Sequence, residues 1–135
     1  MPQPSFLAAS LYVATGGGFG AWLRFLVGRA WNGALGPVRA GAFPYGTLTV
    51  NLLGSVLMGV LAGWLARSGS HGEGTRLLLA VGVLGGFTTF SSFSMDIVSL
   101  AERGQIGLAG FYAGASVIAG VAGLIGGLSI MRQVG

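Results

Sequence analysis

Four long apolar stretches divide the chain, and the short segments between them hold most of the charged residues. The stretches run at about 6–27, 45–66, 77–100 and 106–130. Each has at least the roughly 20 residues that a helix needs to cross a bilayer. Their apolar positions do not alternate with polar ones, which favours helices over the strands of a membrane barrel. The pattern predicts an all-α membrane protein with four transmembrane helices, folded as one domain over residues 1–135.

Composition supports a membrane protein and argues against a soluble globular enzyme. Of the 135 residues, 53% are hydrophobic and 7% are charged, whereas a soluble domain carries about 25% charged residues. The 27 glycines include pairs four residues apart in every stretch, a spacing that lets membrane helices pack closely. Cysteine is absent from the sequence, so disulfides and thiolate metal sites are excluded. The arginines are scattered, so no nucleic-acid-binding patch is indicated.

Positive charge is almost evenly divided between the two sides of the predicted membrane. Three arginines fall on the side of the N-terminus: Arg67, Arg76 and Arg132. Three fall on the opposite side, or four if Arg24 at a span end is counted: Arg29, Arg39 and Arg103. Orientation follows the excess of Lys and Arg in short loops. Because that excess is nearly absent, two interpretations remain open. The chain inserts both ways round, which would allow an antiparallel dimer, or other features fix one orientation.

The third stretch contains an unusually polar segment. From Thr88 to Ser94, five of seven residues are hydroxylic and the other two are phenylalanine; Gly85 and Gly86 precede them. Adjacent glycines and threonines weaken a helix, so a helix broken near its middle is predicted. Unwound backbone is tolerated at membrane depth only where it is buried or lines a cavity, and its carbonyls can coordinate an alkali cation. The alternative is that the hydroxyls bond back to their own helix.

Three phenylalanines and one asparagine are candidates for contact with an ion. Phe87, Phe90 and Phe93 follow at i, i+3 and i+6, which would place them on one rough helix face. Such a row usually packs, but the positive edges of its rings could also stabilise an anion. Asn51 in the second stretch has two interpretations: a hydrogen bond between helices, or a donor that lines a pore.

Three further polar positions stand out at or within the spans. Tyr112 and Ser116 are four residues apart in the fourth stretch and therefore share a helix face. Arg24 near the end of the first stretch would either extend to the membrane surface or attract anions into an aqueous vestibule. Asp96 lies near the end of the third stretch, which favours exposure at the interface over proton coupling.

Three segments together resemble motifs of the Fluc (CrcB) fluoride channel family. They are Gly17–Phe25 (GGFGAWLRF), Gly46–Gly54 (GTLTVNLLG) and Gly85–Ser94 (GGFTTFSSFS). The last is highly specific, and the resemblance covers essentially the whole chain in length, number of spans and order of motifs. It implies a multi-pass protein of a prokaryotic inner membrane that forms a dual-topology, antiparallel homodimer with two anion pores. The implied partners are fluoride, membrane lipid and the second copy.

The resemblance also implies roles for individual residues. A structural sodium ion at the dimer centre would be held by backbone carbonyls at the helix break, at Gly85 and Thr88. Arg24 would lie in the vestibule. The residues that would line the pore or bind fluoride are Asn51, Thr89, Phe90, Ser92, Phe93, Tyr112 and Ser116. Beyond Ser116, where the family often continues with hydroxyls, this chain has Gly120 and Leu124.

These roles imply a passive fluoride channel, not an enzyme, that exports cytoplasmic fluoride and so reduces its toxicity. Hydrogen-bond donors along a narrow path would replace the water that the small anion holds. One alternative is a small dual-topology, proton-coupled exporter, which needs a carboxylate inside the membrane; the first span has none. The other alternative is a structural membrane subunit without transport, in which Asn51, Phe90 and Phe93 only pack.

Overall fold

The chain folds entirely into helices and short connections within the part that the structure describes. The structure is a computed structural model that describes residues 3–68 and 72–134. In these residues, four helical spans are long and apolar enough to cross a membrane: Phe6–Ala42, Tyr45–Arg67, Glu73–Glu102 and Ile106–Gln133. The predicted all-α class and the predicted four spans are therefore confirmed.

The first span is a helix kinked at Gly36, the second and fourth are continuous helices, and the third is composite. The first, second and fourth spans are α1 (Phe6–Ala42), α2 (Tyr45–Ser68) and α6 (Ile106–Gln133). The third span comprises α3 (Glu73–Arg76), a π-helical segment (Leu77–Leu84), α4 (Gly85–Phe87) and α5 (Phe90–Glu102). Between α4 and α5, Thr88 (φ −84°, ψ 162°) and Thr89 (φ −154°, ψ 125°) have extended backbone angles.

Helix α1 is longer than the sequence pattern suggests. Ser5 caps its first turn by accepting a hydrogen bond from the Ala8 amide at 3.3 Å. The helix then continues beyond residue 27 and kinks at Gly36 (φ 78°, ψ 159°) before it ends at Ala42. The polar residues of segment 29–44 suggested a loop, but no proline interrupts it before Pro37. Proline fits the first turn of a helix, so helical structure resumes directly after the kink.

The helices pack as two parallel pairs, α1 with the third span and α2 with α6. A Cβ added at Gly16 would lie 3.1 Å from Gly82 Cα, and one added at Gly20 would lie 2.8 Å from the Phe87 nitrogen. One added at Gly59 would lie 3.0 Å from the Leu128 nitrogen. Residue numbers rise together across each interface, so the paired helices run in the same direction. Glycine allows these backbones to approach closely.

The register between α2 and α6 positions the polar residues of both helices. A Cβ added at Gly120 would lie 3.4 Å from Ser55 Oγ, and one added at Gly63 would lie 3.7 Å from the Leu128 carbonyl oxygen. Extrapolated one turn earlier in each helix, this register predicts that Asn51 and Ser116 are neighbours.

Candidate functional site

Asn51 hydrogen-bonds to the extended backbone between α4 and α5 from the neighbouring helix α2. Its Nδ2 donates to the Thr89 carbonyl oxygen at 3.0 Å, and its Oδ1 accepts from the Thr89 amide at 2.8 Å. The asparagine side chain therefore pairs with the Thr89 peptide groups as another peptide would. An amide NH₂ has two hydrogens, and one of them is used in this pair. We call this pair of hydrogen bonds the Asn51–Thr89 clamp.

Thr89 also caps α5. Its Oγ1 accepts a hydrogen bond from the Ser92 amide at 3.2 Å, and Thr89 Oγ1 also bonds to Ser92 Oγ at 3.2 Å. Threonine is a favoured residue at a helix N-terminus because its oxygen satisfies an otherwise unpaired amide. Thr89 is 9% exposed, whereas Ser92 is exposed. The sequence therefore starts a new helix directly after the interruption.

The end of α4 has backbone carbonyls without their helical partners. The Thr88 amide and Oγ1 both donate to the Leu84 carbonyl oxygen, at 3.0 Å and 2.9 Å. In a continuous helix the Thr89 amide would bond to the Gly85 carbonyl, but here that amide bonds to Asn51. The Gly85 carbonyl therefore loses its helical donor. Gly85 is exposed on the surface of the chain.

The three phenylalanines do not share one face, so that interpretation of the sequence spacing is wrong. Phe87 is 5% exposed and Phe90 is 79% exposed. The two extended residues between them change the direction of the side chains. Phe90 and Phe93 do lie together, with ring centroids 5.8 Å apart and planes inclined by 46°. Phe87 instead packs inside the chain, near Gly54 of α2.

Tyr112 is fully buried at the meeting point of α5, α6 and the α1–α2 connection. Its hydroxyl lies 3.1 Å from Asp96 Oδ2 and donates to this carboxylate. Its ring centroid lies 5.3 Å from that of Phe93 and 5.5 Å from that of Phe43. The hydroxyl that was expected to face an anion is thus directed at Asp96 in this structure.

Ser116, one turn further along α6, has a buried hydroxyl oxygen with no hydrogen-bond partner among the described residues. A buried hydroxyl that is left unpaired costs free energy. This position therefore has an unused donor at membrane depth.

Two cavities meet at Thr89. The first has a volume of about 420 Å³, and the polar residues around it include Arg24, Thr47, Thr89, Ser92 and Asp96. The second has a volume of about 290 Å³ and lies on the other side of the clamp, where Asn51, Ser55, Thr88, Thr89 and Phe90 contribute to its wall. Within residues 3–68 and 72–134, no hydrogen bond or ion pair engages the Arg24 guanidinium. The predicted vestibule residue is therefore a free cation beside the first cavity.

Comparison with known proteins identifies the family. The family description "CrcB-like protein, Camphor Resistance (CrcB)" matches residues 11–128 of the chain. The chain belongs to this CrcB-like family. A protein of Novosphingobium aromaticivorans is 59% identical over 128 residues, which are 95% of this chain and 99% of that protein. A protein of Sphingopyxis alaskensis is 51% identical over 90% of this chain and 94% of its own length. Both carry the name "Fluoride-specific ion channel FluC".

Sequence reasoning missed two polar residues that line the cavities of this CrcB-like chain. Thr47 borders the first cavity and Ser55 borders the second. They flank Asn51 at spacings of four residues, so all three lie on one face of α2. That i, i+4, i+8 spacing was the signal in the sequence, and it was not used.

Proposed function

We propose that this chain forms a passive fluoride channel in a prokaryotic inner membrane, through which cytoplasmic fluoride leaves the cell. The observation that carries the proposal is the pair of cavities that meet at Thr89, with free donor groups beside them. The family and the names of its relatives agree with this function.

The proposed mechanism replaces the hydration shell of the anion with protein donors. The Arg24 guanidinium raises the local concentration of anions at the first cavity, since a cleft of one charge attracts the opposite charge. At the clamp, the second N–H of Asn51 and the hydroxyl of Ser116 are the available donors. These groups are neutral, so they bind an anion weakly enough for it to leave again.

Phe90 and Phe93 would add a weak positive potential along this path. The edge of a phenyl ring is positive and its face is negative. In a single copy of the chain, Phe90 is 79% exposed, so its ring has no covering on one side. We infer that a second copy covers it and that the pore wall draws on both chains.

The second copy would be antiparallel. The near balance of arginines between the two sides of the membrane supports insertion in both orientations. Two copies related by a twofold axis would contain two equivalent sets of Asn51, Phe90 and Phe93, and hence two pores.

A structural sodium ion would use the exposed backbone at the end of α4. Among the described residues, no group of three or more His, Cys, Asp or Glu side chains is placed to hold a metal. The proposed ligands are backbone carbonyls, which can coordinate an alkali cation. The Gly85 carbonyl has lost its helical donor, and carbonyl oxygen is a ligand that sodium accepts. Gly85 and Thr88 of each copy would hold the ion, and its positive charge would stabilise the paired helices.

Ion efflux from liposomes tests the proposed function. Purified protein is reconstituted into vesicles loaded with fluoride or with chloride, and a potassium ionophore is added to allow charge balance. We expect rapid release of fluoride, measured with an electrode, and little release of chloride. Absence of fluoride release from a folded dimer would refute the proposal, and acid-driven export of an organic cation would favour the proton-coupled exporter.

The sodium site is tested separately by thermal unfolding. We expect sodium, but not an equal concentration of choline, to raise the unfolding temperature of the detergent-solubilised dimer, because a ligand that binds only the folded state stabilises it. An equal unfolding temperature in both salts would contradict a structural sodium.

A further inference from the structure

The row of polar side chains on α6 stops after Ser116. The next residues on the same face are Gly120 and Leu124, neither of which has a polar side chain. Beside Gly120, however, α2 presents Ser55. A Cβ added at Gly120 would lie 3.4 Å from Ser55 Oγ. The Ser55 hydroxyl therefore lies directly beside the position where a side chain of α6 would begin.

The Ser55 hydroxyl is not used by the fold. Several hydroxyls in the spans donate to the carbonyl four residues earlier, as Thr49 does to Tyr45 at 2.7 Å and Ser129 does to Ile125 at 2.8 Å. In the described part of the chain, no hydrogen bond engages the Ser55 side chain. An unpaired hydroxyl at membrane depth is costly unless a cavity supplies it with a partner.

The cavity beside Ser55 has few other free donors. Its wall includes Thr88 and Thr89, but their hydroxyls already bond to the Leu84 carbonyl and to Ser92. No carboxylate lines this cavity among the described residues. The groups left to donate into it are therefore the Ser55 hydroxyl and the second N–H of Asn51. A wall that offers donors and no negative charge suits a small anion rather than a cation.

We propose that Ser55 is a further anion-binding residue, located on the far side of the Asn51–Thr89 clamp from Arg24. It supplies from α2 the hydroxyl that α6 lacks at Gly120, so the donor row passes from one helix to the other. The ligand is the small, strongly hydrated anion that the channel conducts. This inference rests on the proposed function and names an additional residue of the same path.

The test exchanges the hydroxyl between the two helices. Ser55→Ala removes the donor, and the double variant Ser55→Ala/Gly120→Ser returns a hydroxyl to the same space from α6. We expect Ser55→Ala to lower the fluoride efflux rate per reconstituted dimer by roughly two- to tenfold, the effect of one net hydrogen bond. The double variant should recover most of the lost rate. Ser10→Ala is the matched control, because Ser10 is exposed and its hydroxyl bonds to the Phe6 carbonyl of its own helix.

Stability and wild-type measurements separate the possible failures. Each variant is first compared for dimer content and unfolding temperature. Ser55→Cys keeps nearly the same side-chain size but is a much weaker donor, so it should also conduct slowly. This variant replaces Ser55→Ala in the test if Ser55→Ala folds poorly. A wild-type rate in Ser55→Ala, or a double variant no faster than the folded single variant, would overturn the role of Ser55 alone. Wild-type protein that releases no fluoride would overturn the proposed function and this inference with it.

Discussion

The two parallel helix pairs use different means to bring their backbones together. Between α1 and the third span, contact is made by glycines against backbone, as at Gly16 and Gly20. Between α2 and α6, glycine contacts at Gly59 give way to a polar row at the other end of the interface. The interface of the first pair consists of close van der Waals contacts, which fix the position of its two helices. The second pair carries the unused hydroxyls of Ser55 and Ser116, and the two polar cavities lie where its helix α2 faces the third span. Free donors beside a cavity are the condition for binding an ion.

The largest effect is expected at the Asn51–Thr89 clamp, which joins α2 to the third span. Asn51→Ala leaves the Thr89 amide without its partner and removes the side-chain donor to the Thr89 carbonyl, which as the N-cap carbonyl of α5 still accepts from its own helix. An unpaired buried group costs about 1–3 kcal/mol. We expect a large loss of stability together with loss of fluoride efflux. Chemical or thermal unfolding of the purified protein, with efflux in liposomes, checks both.

Asn51→Asp sharpens this result. The carboxylate can still accept from the Thr89 amide, but it cannot donate to the Thr89 carbonyl and it adds a negative charge to the path. We expect it to lose anion efflux even where the dimer remains intact. A folded Asn51→Asp protein with wild-type efflux would show that Asn51 contributes no donor to the ion.

A smaller effect is expected at the glycine contacts between α1 and the third span. Gly20→Ala places a methyl group 2.8 Å from the Phe87 nitrogen of the third span, and backbone cannot yield as a side chain can. We expect a loss of about 1–3 kcal/mol in stability from overpacking. Gly18→Ala is the control, because nothing lies within 4 Å of its added Cβ. Equal unfolding temperatures for the two variants would contradict this account of the interface.

The smallest effect is expected at Phe43, next to the site. Its ring packs edge-on against Tyr112, with centroids 5.5 Å apart and planes inclined by 81°. Phe43→Leu removes an aromatic pair worth about 0.5–1.5 kcal/mol, and with it one of the contacts that position Tyr112 against Phe93. We expect a several-fold reduction of efflux with little change in dimer content. Phe6→Leu, at an exposed position, should leave efflux unchanged.

The sequence predicted the spans well because membrane thickness and apolar composition set them directly. The helix class, the four spans and the cluster of unusual residues around Thr88 required no knowledge of packing. Helix α1 was underestimated, because charged residues in segment 29–44 suggested a loop although helical structure continues to Ala42.

The details of the site depended on contacts between helices, which a single sequence does not display. Phe87 was grouped with Phe90 because a continuous helix was assumed in counting positions, and the extended residues between them invalidate that count. Asn51 was recognised, but the sequence could not decide between a hydrogen bond between helices and a donor that lines a pore. Its two bonds to Thr89 show the hydrogen bond between helices. Its second amide N–H is left over and could still donate to a ligand. Ser55 was missed because its position beside Gly120 depends on how α2 packs against α6, and the two helices are far apart in the sequence.

The Asn51–Thr89 clamp also bears on how the chain enters the membrane. Backbone groups exposed to lipid cost several kcal/mol unless they are paired. The third span cannot pair the Thr89 amide by itself in its final form, because the acceptor, Asn51 Oδ1, belongs to α2. We therefore expect this segment to enter the bilayer as a more continuous helix, or only with α2 already beside it. Since α2 precedes the third span along the chain, synthesis delivers the partner first, and biogenesis in chain order protects the interruption from lipid.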